Sequence, residues 1–249
     1  MSGHSKWATI KHKKAQTDAR RGRLFTRVIK EITVAARNGG GDVDANPRLR
    51  TAVAAAKAAS MPADNIKRAI QRGTGEIPGA TFDEVTFEGY GPGGVAVLVD
   101  VATDNRNRTV SDIRHVFAKQ GGNMGEAGSV AWMFKKRGYI VVPREGADED
   151  KLMDIVLEAG GEDLRDDGSQ WEVFTAPEGL ETVQEALKKA GLEVSLSEIS
   201  MIPSTYVKLE GKNAQAMLRL IEALEEHDDV QHVYSNFEAE EREFEVVSE

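Results

Sequence analysis

Tyr139-Ile-Val-Val-Pro143, Glu149-Asp-Lys-Leu-Met-Asp-Ile-Val-Leu-Glu-Ala159, Glu162-Asp-Leu-Arg165, Glu172-Val-Phe-Thr175, Leu180-Glu-Thr-Val-Gln-Glu-Ala-Leu-Lys-Lys-Ala190 and Glu193-Val-Ser-Leu-Ser-Glu-Ile199 follow one another in a single stretch. The short runs rich in Val, Ile and aromatic residues predict strands. The two longer segments repeat apolar residues at spacings of three and four and predict helices. The resulting order, strand-helix-strand-strand-helix-strand, is ferredoxin-like: a split βαβ pair that is complete in itself.

The flanking segments have no partners in that unit. Before it, strands are expected at 83–90 and 95–103, a helix at 107–119 and a strand at 129–135. After Pro203, a strand at 205–209, a helix at 214–225 and a strand at 230–237 remain. The expected fold class is therefore α+β: an N-terminal helical domain (1–80) followed by two α+β domains, one inserted into the other. The outer domain combines 81–136 with 204–249, and the inner, ferredoxin-like domain is 137–203. Strands 129–135 and 205–209 are expected in a different sheet from 139–143. The acidic end, 238–249, is expected to fray.

Residues 1–80 read as helical. Leu24, Phe25, Val28, Ile29, Ile32 and Ala36 share one helical face, and Asn38-Gly39-Gly40-Gly41 ends it. Asn46-Pro47 is an N-cap and first-turn signature, after which Leu49, Val53, Ala56 and Ala59 continue a small-residue stripe. Pro62 opens a third helix, with Ile66, Ala69 and Ile70 inward, Lys67, Arg68 and Arg72 outward, and Gly73 as its stop. The Gly- and Pro-containing segment 73–80 reads as a linker.

Charge divides the chain more sharply than its average suggests. Of 32 Lys+Arg and 41 Asp+Glu in 249 residues, 16 and 6 fall in residues 1–80, leaving 16 and 35 in the rest. A basic segment feels a phosphate field at its own surface rather than through the chain average. The excess is densest in Lys6, Lys11, Lys13, Lys14, Arg20, Arg21 and Arg23, with Asp18 the sole acid among them and His12 alongside. So polar a run buries little and is expected to be mobile when free. Trp7 lies within it, a flat ring of the kind that stacks on unpaired bases. The alternative is that Trp7 docks on the following helices while the cations are solvated.

Other motifs carry less. Gly89-Tyr-Gly91-Pro-Gly93-Gly94 contains G-x-G-x-x-G, but a dinucleotide site needs a helix next, and Val95-Ala-Val-Leu-Val-Asp100 is a strand; a hairpin is expected. Asp42-Val-Asp44-Ala-Asn46 imitates a calcium loop but has Pro47 and Val53 where the turn glycine and bidentate Glu belong. In Thr103-Asp-Asn-Arg-Asn-Arg-Thr109, Thr109 and Asp112 are expected to form a capping box, and Arg106 and Arg108 to offer a second phosphate contact beside a helix N-terminus. Gly121-Gly-Asn-Met-Gly125 is either plain turn chemistry or a backbone surface for RNA. The five His (His4, His12, His115, His227, His232) lack zinc-site spacing, and Cys is absent. The paired acids sit in turns and helix starts, where a solvated face is the expectation. No catalytic residue, metal or cofactor is expected. No apolar run reaches a membrane span and no signal-peptide core follows Met1, so a cytoplasmic protein is expected.

Several of these segments together resemble the YebC family. They are Met1-Ser-Gly-His-Ser-Lys-Trp7, Ile10-Lys-His-Lys-Lys14, Arg21-Gly-Arg-Leu-Phe25, Met61-Pro-Ala-Asp-Asn-Ile-Lys-Arg-Ala-Ile70, Tyr90-Gly-Pro-Gly-Gly94, Thr103–Thr109 and Gly121–Gly125. The likeness runs in order over essentially the whole chain. It implies a three-domain bacterial protein, widely named a probable transcriptional regulator that binds DNA, with mitochondrial relatives that activate translation and a link to the ribosome.

Two functions are open: an RNA-binding translation factor at the ribosome, or a DNA-binding transcriptional regulator. The mostly Ala helix at 48–60 has little with which to read base edges, and a basic arm carrying a Trp suits folded RNA, so RNA is favoured. The candidate nucleic-acid-binding residues are Lys6, Trp7, Lys11, His12, Lys13, Lys14, Arg20, Arg21, Arg23, Lys67, Arg68, Arg106 and Arg108. The expected partner is nucleic acid, and with it the ribosome.

Overall fold

The computed structural model describes residues 18–240 and Glu243, with side chains from Gly22 onward. The chain is α+β. Three helices come first: α1 (Asp18–Gly39), α2 (Pro47–Ala58) and α3 (Ala63–Thr74). Val28, Ile32, Ala35 and Ala36 of α1 pack on Leu49, Ala52, Val53 and Ala56 of α2 and on Ile66 and Ala69 of α3. Leu24, expected on the inner face, is exposed. Asn46 caps α2 as anticipated, its Oδ1 accepting from Leu49 N at 3.1 Å. Its amide also donates to Ala35 O and Gly40 O, both at 2.9 Å, so one buried side chain ties the end of α1 to the start of α2.

Gly73 does not end α3. The helix runs on to Thr74 and stops at Gly75, whose φ of 81° is left-handed. Gly73 instead lets two helices touch. A Cβ there would sit 2.4 Å from Thr33 O of α1.

The first sheet has the order β3-β1-β2-β9, from Asn123–Met124, Asp83–Tyr90, Ala96–Thr103 and Val230–Ser235. β1 and β2 form an antiparallel hairpin from Asp83↔Thr103 to Tyr90↔Ala96, joined through a 3-10 turn at Pro92–Gly94. The glycine motif is thus a hairpin connection. Helices α4 (Arg106–Lys119) and α7 (Gly211–Glu225) cover one face. Val97, Val99 and Val101 point into a core with Ile113, Phe117, Met217, Leu220, Ile221 and Leu224. On the opposite face Ala96 and Leu98 meet Val130, Phe134 and Tyr234. With both faces covered, β2 is apolar at nearly every position and reads as a continuous run instead of an alternation.

The second sheet has the order β5-β6-β4-β7: Gly161–Asp166, Gln170–Thr175, Phe134–Pro143 and Leu196–Pro203, all neighbours antiparallel. With α5 (Glu149–Glu158) and α6 (Leu180–Lys189) between strands, this is the ferredoxin-like arrangement. Leu152, Val156, Val183 and Leu187 of the helices pack on Ile140, Val142, Trp171 and Val173.

The expected strand at 129–135 requires correction. Ser129 and Val130 lie in a turn, Ala131–Met133 is a 3-10 turn, and Phe134 opens a ten-residue strand, β4, that runs unbroken to Pro143. Phe134 pairs with Pro203 and Lys136 with Met201, which places residues 134–136 in the second sheet. The expected strand at 205–209 shrinks to β8 (Val207–Lys208), which pairs in parallel with β10 (Phe237–Glu238). The described part of the acidic end is fastened: Ala239 is buried and Glu243 Oε1 accepts from Gly211 N at 3.1 Å. Residues 241–242 and 244–249 lie outside the described residues. Among the described residues no helix is long and apolar enough to cross a membrane.

Candidate nucleic-acid interface

Lys6, Trp7, Lys11, His12, Lys13 and Lys14 lie outside the described residues, and Arg20 and Arg21 are placed in the first turn of α1 by backbone alone. Arg23, farther along α1, is 3.6 Å from Glu226 of the α7–β9 loop. Lys67 and Arg68 are exposed on α3 and form no ion pair among the described residues. Arg37, Lys57 and Arg72 share that state, so the helical unit presents several uncompensated cations to solvent.

Arg106 and Arg108 part company. The helix starts at Arg106 and its N-cap is Asn105, with φ −145° and Oδ1 accepting from Arg108 N at 3.1 Å. The expected Thr109–Asp112 capping box is therefore corrected: the Asn105 side chain caps the helix and its backbone is non-helical, whereas Thr109 is already inside the helix. Arg106 is exposed and forms no ion pair among the described residues. Arg108 is held by two carboxylates, Asp229 Oδ2 at 2.8 Å and Asp104 Oδ1 at 3.0 Å. Its charge is largely answered within the protein.

Asp229 is the hub of that arrangement, and nothing in the sequence reading singled it out. Its side chain is 5% exposed and accepts from Lys30 Nζ at 2.6 Å, Arg108 at 2.8 Å, Thr109 Oγ1 at 2.7 Å and Thr103 Oγ1 at 3.2 Å. Burial pushes its carboxyl upward, but hydrogen bonds from Lys30, Arg108 and Thr109 outweigh this and hold it well below the usual carboxylate range. Lys30 is buried too, and also donates to Asp228 O at 3.0 Å. The available signal was the Asp228-Asp229 pair just before a strand, but its partners lie 199, 121 and 120 positions away.

These groups line one wall of a cleft of roughly 580 Å³ between α1, the start of α4 and the α7–β9 loop. Thr26, Phe82, Asp112, Glu226 and His227 complete it. Acids outnumber bases there, so the cleft is a joint rather than a phosphate pocket. A second fastening begins at the residue after Lys30 in α1, Glu31. Arg48 grips Glu31 at 2.7 Å and Glu84 of β1 at 2.6 Å, and Asn38 donates to Glu84 at 3.1 Å. Hydrogen bonds from Arg48 hold the Glu84 carboxyl below its ordinary value.

Gly121–Gly125, left open between turn and RNA surface, is built into the first sheet. Gly121 has φ +78°, Asn123 pairs with Tyr90 and Gly125 N donates to Glu88 O. The next loop is organised by Glu88, whose buried carboxylate accepts from Gly128 N at 2.6 Å and from Val130 N and Ala131 N, both at 2.7 Å. Burial raises its pKa, and the three amides overturn that and leave it lowered. Among the described residues no group of three or more His, Asp or Glu is arranged to hold a metal.

These observations define an α+β protein in which a cation-bearing helical unit is clamped by ion pairs to antiparallel sheets. Residues 5–76 match the description "TACO1/YebC protein N-terminal domain", and residues 82–237 match "TACO1/YebC second and third domain". The chain belongs to the TACO1/YebC family. It is 66% identical over 249 residues to a protein of Solibacter usitatus and 65% identical over 248 residues to one of Koribacter versatilis, with 100% of each chain covered in both cases. Both relatives are named probable transcriptional regulatory proteins. A crystal structure of a conserved hypothetical protein, Aq1575 from Aquifex aeolicus, superposes with a TM-score of 0.82 at 48% identity, covering 95% of this chain and 98% of that one.

Proposed function

We propose that this chain is a non-enzymatic regulator of gene expression that binds nucleic acid through its helical unit, in the cytoplasm, and that its ligand is RNA at the ribosome. The observation that carries the reading is the charge split: 16 Lys+Arg against 6 Asp+Glu in residues 1–80, inside a chain whose net charge is −9. Exposed Lys67 and Arg68, without ion pairs among the described residues, extend that surface beyond the arm. Arg106 adds a contact at the start of α4. The acidic remainder is repelled by a polyanion and faces away from it.

RNA is preferred to duplex DNA for two reasons. Of the residues α2 exposes, Ala54, Ala55 and Ala58 cannot hydrogen-bond base edges and Arg48 is held by two carboxylates, which leaves only the polar side chains of Thr51 and Lys57, fewer than a recognition helix uses. Trp7 among cations suits unstacked bases, which folded RNA offers and duplex DNA conceals. The names of the relatives favour the second reading, a DNA-binding transcriptional regulator. We further propose three working units, with the inserted one beginning at Phe134 instead of Arg137 because β4 is continuous from there.

The test is competition between a ribosomal RNA fragment and random duplex DNA at matched salt, with the full chain and with residues 1–23 deleted. The full chain should prefer RNA, affinity should fall steeply with salt, and the deletion should remove most binding. Trp7→Ala should narrow the RNA preference more than Lys13→Ala does. A specific duplex bound far more tightly than any RNA would restore the transcriptional reading.

A further inference from the structure

Trp132 is 74% exposed and Tyr90 39%, the two exposed aromatic side chains among the described large hydrophobics. Neither is loose. Tyr90 Oη donates to Ser129 O at 3.1 Å, and Trp132 Nε1 donates to the same oxygen at 3.2 Å. Two rings from different elements, the end of β1 and the 3-10 turn before β4, are thus pinned by their polar tips to one carbonyl. Trp132 keeps about three quarters of its surface in solvent and Tyr90 more than a third.

The carbonyl is itself held in place. Ser129 lies in the segment whose amides, at Gly128, Val130 and Ala131, bind the buried Glu88 carboxylate. Val130 and Phe134 anchor the same segment in the core against Leu98 and Tyr234. Ordering costs that usually oppose recognition by an exposed ring are reduced when the ring is already fixed.

The surroundings indicate what such rings would meet. Glu126, Ala127 and Gly128 nearby are exposed, as is Asn123, the strand partner of Tyr90. Lys135 follows Trp132 by three residues, and Lys119 precedes Asn123 by four. Both are exposed and without ion pairs among the described residues. The one carboxylate buried at the site, Glu88, is occupied with backbone amides. Ring-bearing residues held in place, with one exposed lysine three positions from Trp132 and another four from the strand partner of Tyr90, offer stacking surface and positive charge, the two features that unpaired bases and their phosphates need.

We infer that Tyr90 and Trp132 form a stacking platform for unpaired bases of single-stranded RNA, made of residues other than the cations named above. The inference rests on the RNA reading above and adds a site to it. The platform selects single strands because a duplex hides its base faces.

The test uses the full chain with a single-stranded RNA of about 12 nucleotides and the same sequence as a blunt RNA duplex. Trp132→Ala and Tyr90→Ala should each weaken single-strand binding about tenfold while leaving duplex binding and the salt slope unchanged. Trp132→Phe, which keeps a ring but loses the bond to Ser129 O, should lose less than Trp132→Ala. Photocrosslinking with 4-thiouridine should mark Tyr90 or Trp132. Thermal unfolding controls for fold, which Trp132 should hardly affect. Parent-like single-strand affinity in both Ala variants would overturn the platform. The functional reading is scored separately, by whether the parent binds RNA at all.

Discussion

Asp229→Ala should destabilise the protein by about 3–5 kcal/mol. The substitution removes the acceptor from Lys30, a lysine only 7% exposed. Its ammonium would keep a single oxygen partner, Asp228 O at 3.0 Å, with a cation-facing ring, Phe82, at 5.4 Å. An uncompensated buried charge dominates the cost. Arg108 contributes less, because its side chain is 48% exposed and water replaces the lost bond. Thr103 and Thr109 keep each other, their hydroxyls being 2.7 Å apart. Lys30→Met in the Asp229→Ala background should recover much of the loss, since the stranded charge goes with it. Urea denaturation followed by circular dichroism gives the stabilities, and the double-mutant cycle gives the coupling. Hydrogen exchange should localise the opening to α1, which Lys30 fastens to the α7–β9 loop. A loss under 1 kcal/mol for Asp229→Ala, or no recovery in the double variant, would refute the view that this pair clamps the helical unit.

Gly73→Ala should cost stability, by about 1–3 kcal/mol, although Ala is normally favoured over Gly within a helix by about 1 kcal/mol. The new Cβ would lie 2.4 Å from Thr33 O and 2.7 Å from Ala36 Cβ, neither of which can rotate away, and thermal unfolding would show a gain if the helices could simply part. Glu88→Gln should cost about 1–3 kcal/mol, because the amide nitrogen replaces one carboxylate oxygen and turns a donor toward either Gly128 N or the Val130 and Ala131 N–H pair, and the remaining carbonyl oxygen is a weaker acceptor. It should also flatten the acid limb of stability: a lowered carboxyl pKa stabilises the fold above the unfolded value and loses that contribution as pH falls through the folded one. Equal acid slopes for parent and variant, from urea titrations at several pH values, would contradict this.

Local signals were legible wherever one short segment carried the whole instruction. Asn46-Pro47 states a cap and a first turn. Gly91-Pro-Gly93-Gly94 before a Val-rich run states a hairpin, against the competing phosphate-loop reading. The apolar spacings of 149–159 and 180–190 state helices, and their order with the neighbouring strands is that of the second sheet. Failures came at boundaries and at glycines. Ser129 to Lys135 has strand-like composition, yet its first residues curl around Glu88 and its last ones join β4, because a buried carboxylate collects three amides that a strand would have paired elsewhere. Gly73 reads as a stop, yet it marks where two helices touch.

The amino-acid sequence by itself determined the element types, the charge split between residues 1–80 and the remainder, and the family, since each rests on the residue order and on neighbours within a turn or two. The tertiary structure alone decided the register and boundaries of the strands, which cations stay uncompensated, and where side chains converge. Arg106 and Arg108 are alike in the sequence, and only folding brings Asp229 to one of them and not the other. Tyr90 and Trp132 are 42 positions apart and share a single carbonyl only once Glu88 has shaped the loop between them. The physical reason is the same in each case. Backbone preference and periodicity act over a few residues, whereas pairing of charges, donors and strands depends on which distant surfaces the packed cores bring within about 3 Å, the reach of a hydrogen bond.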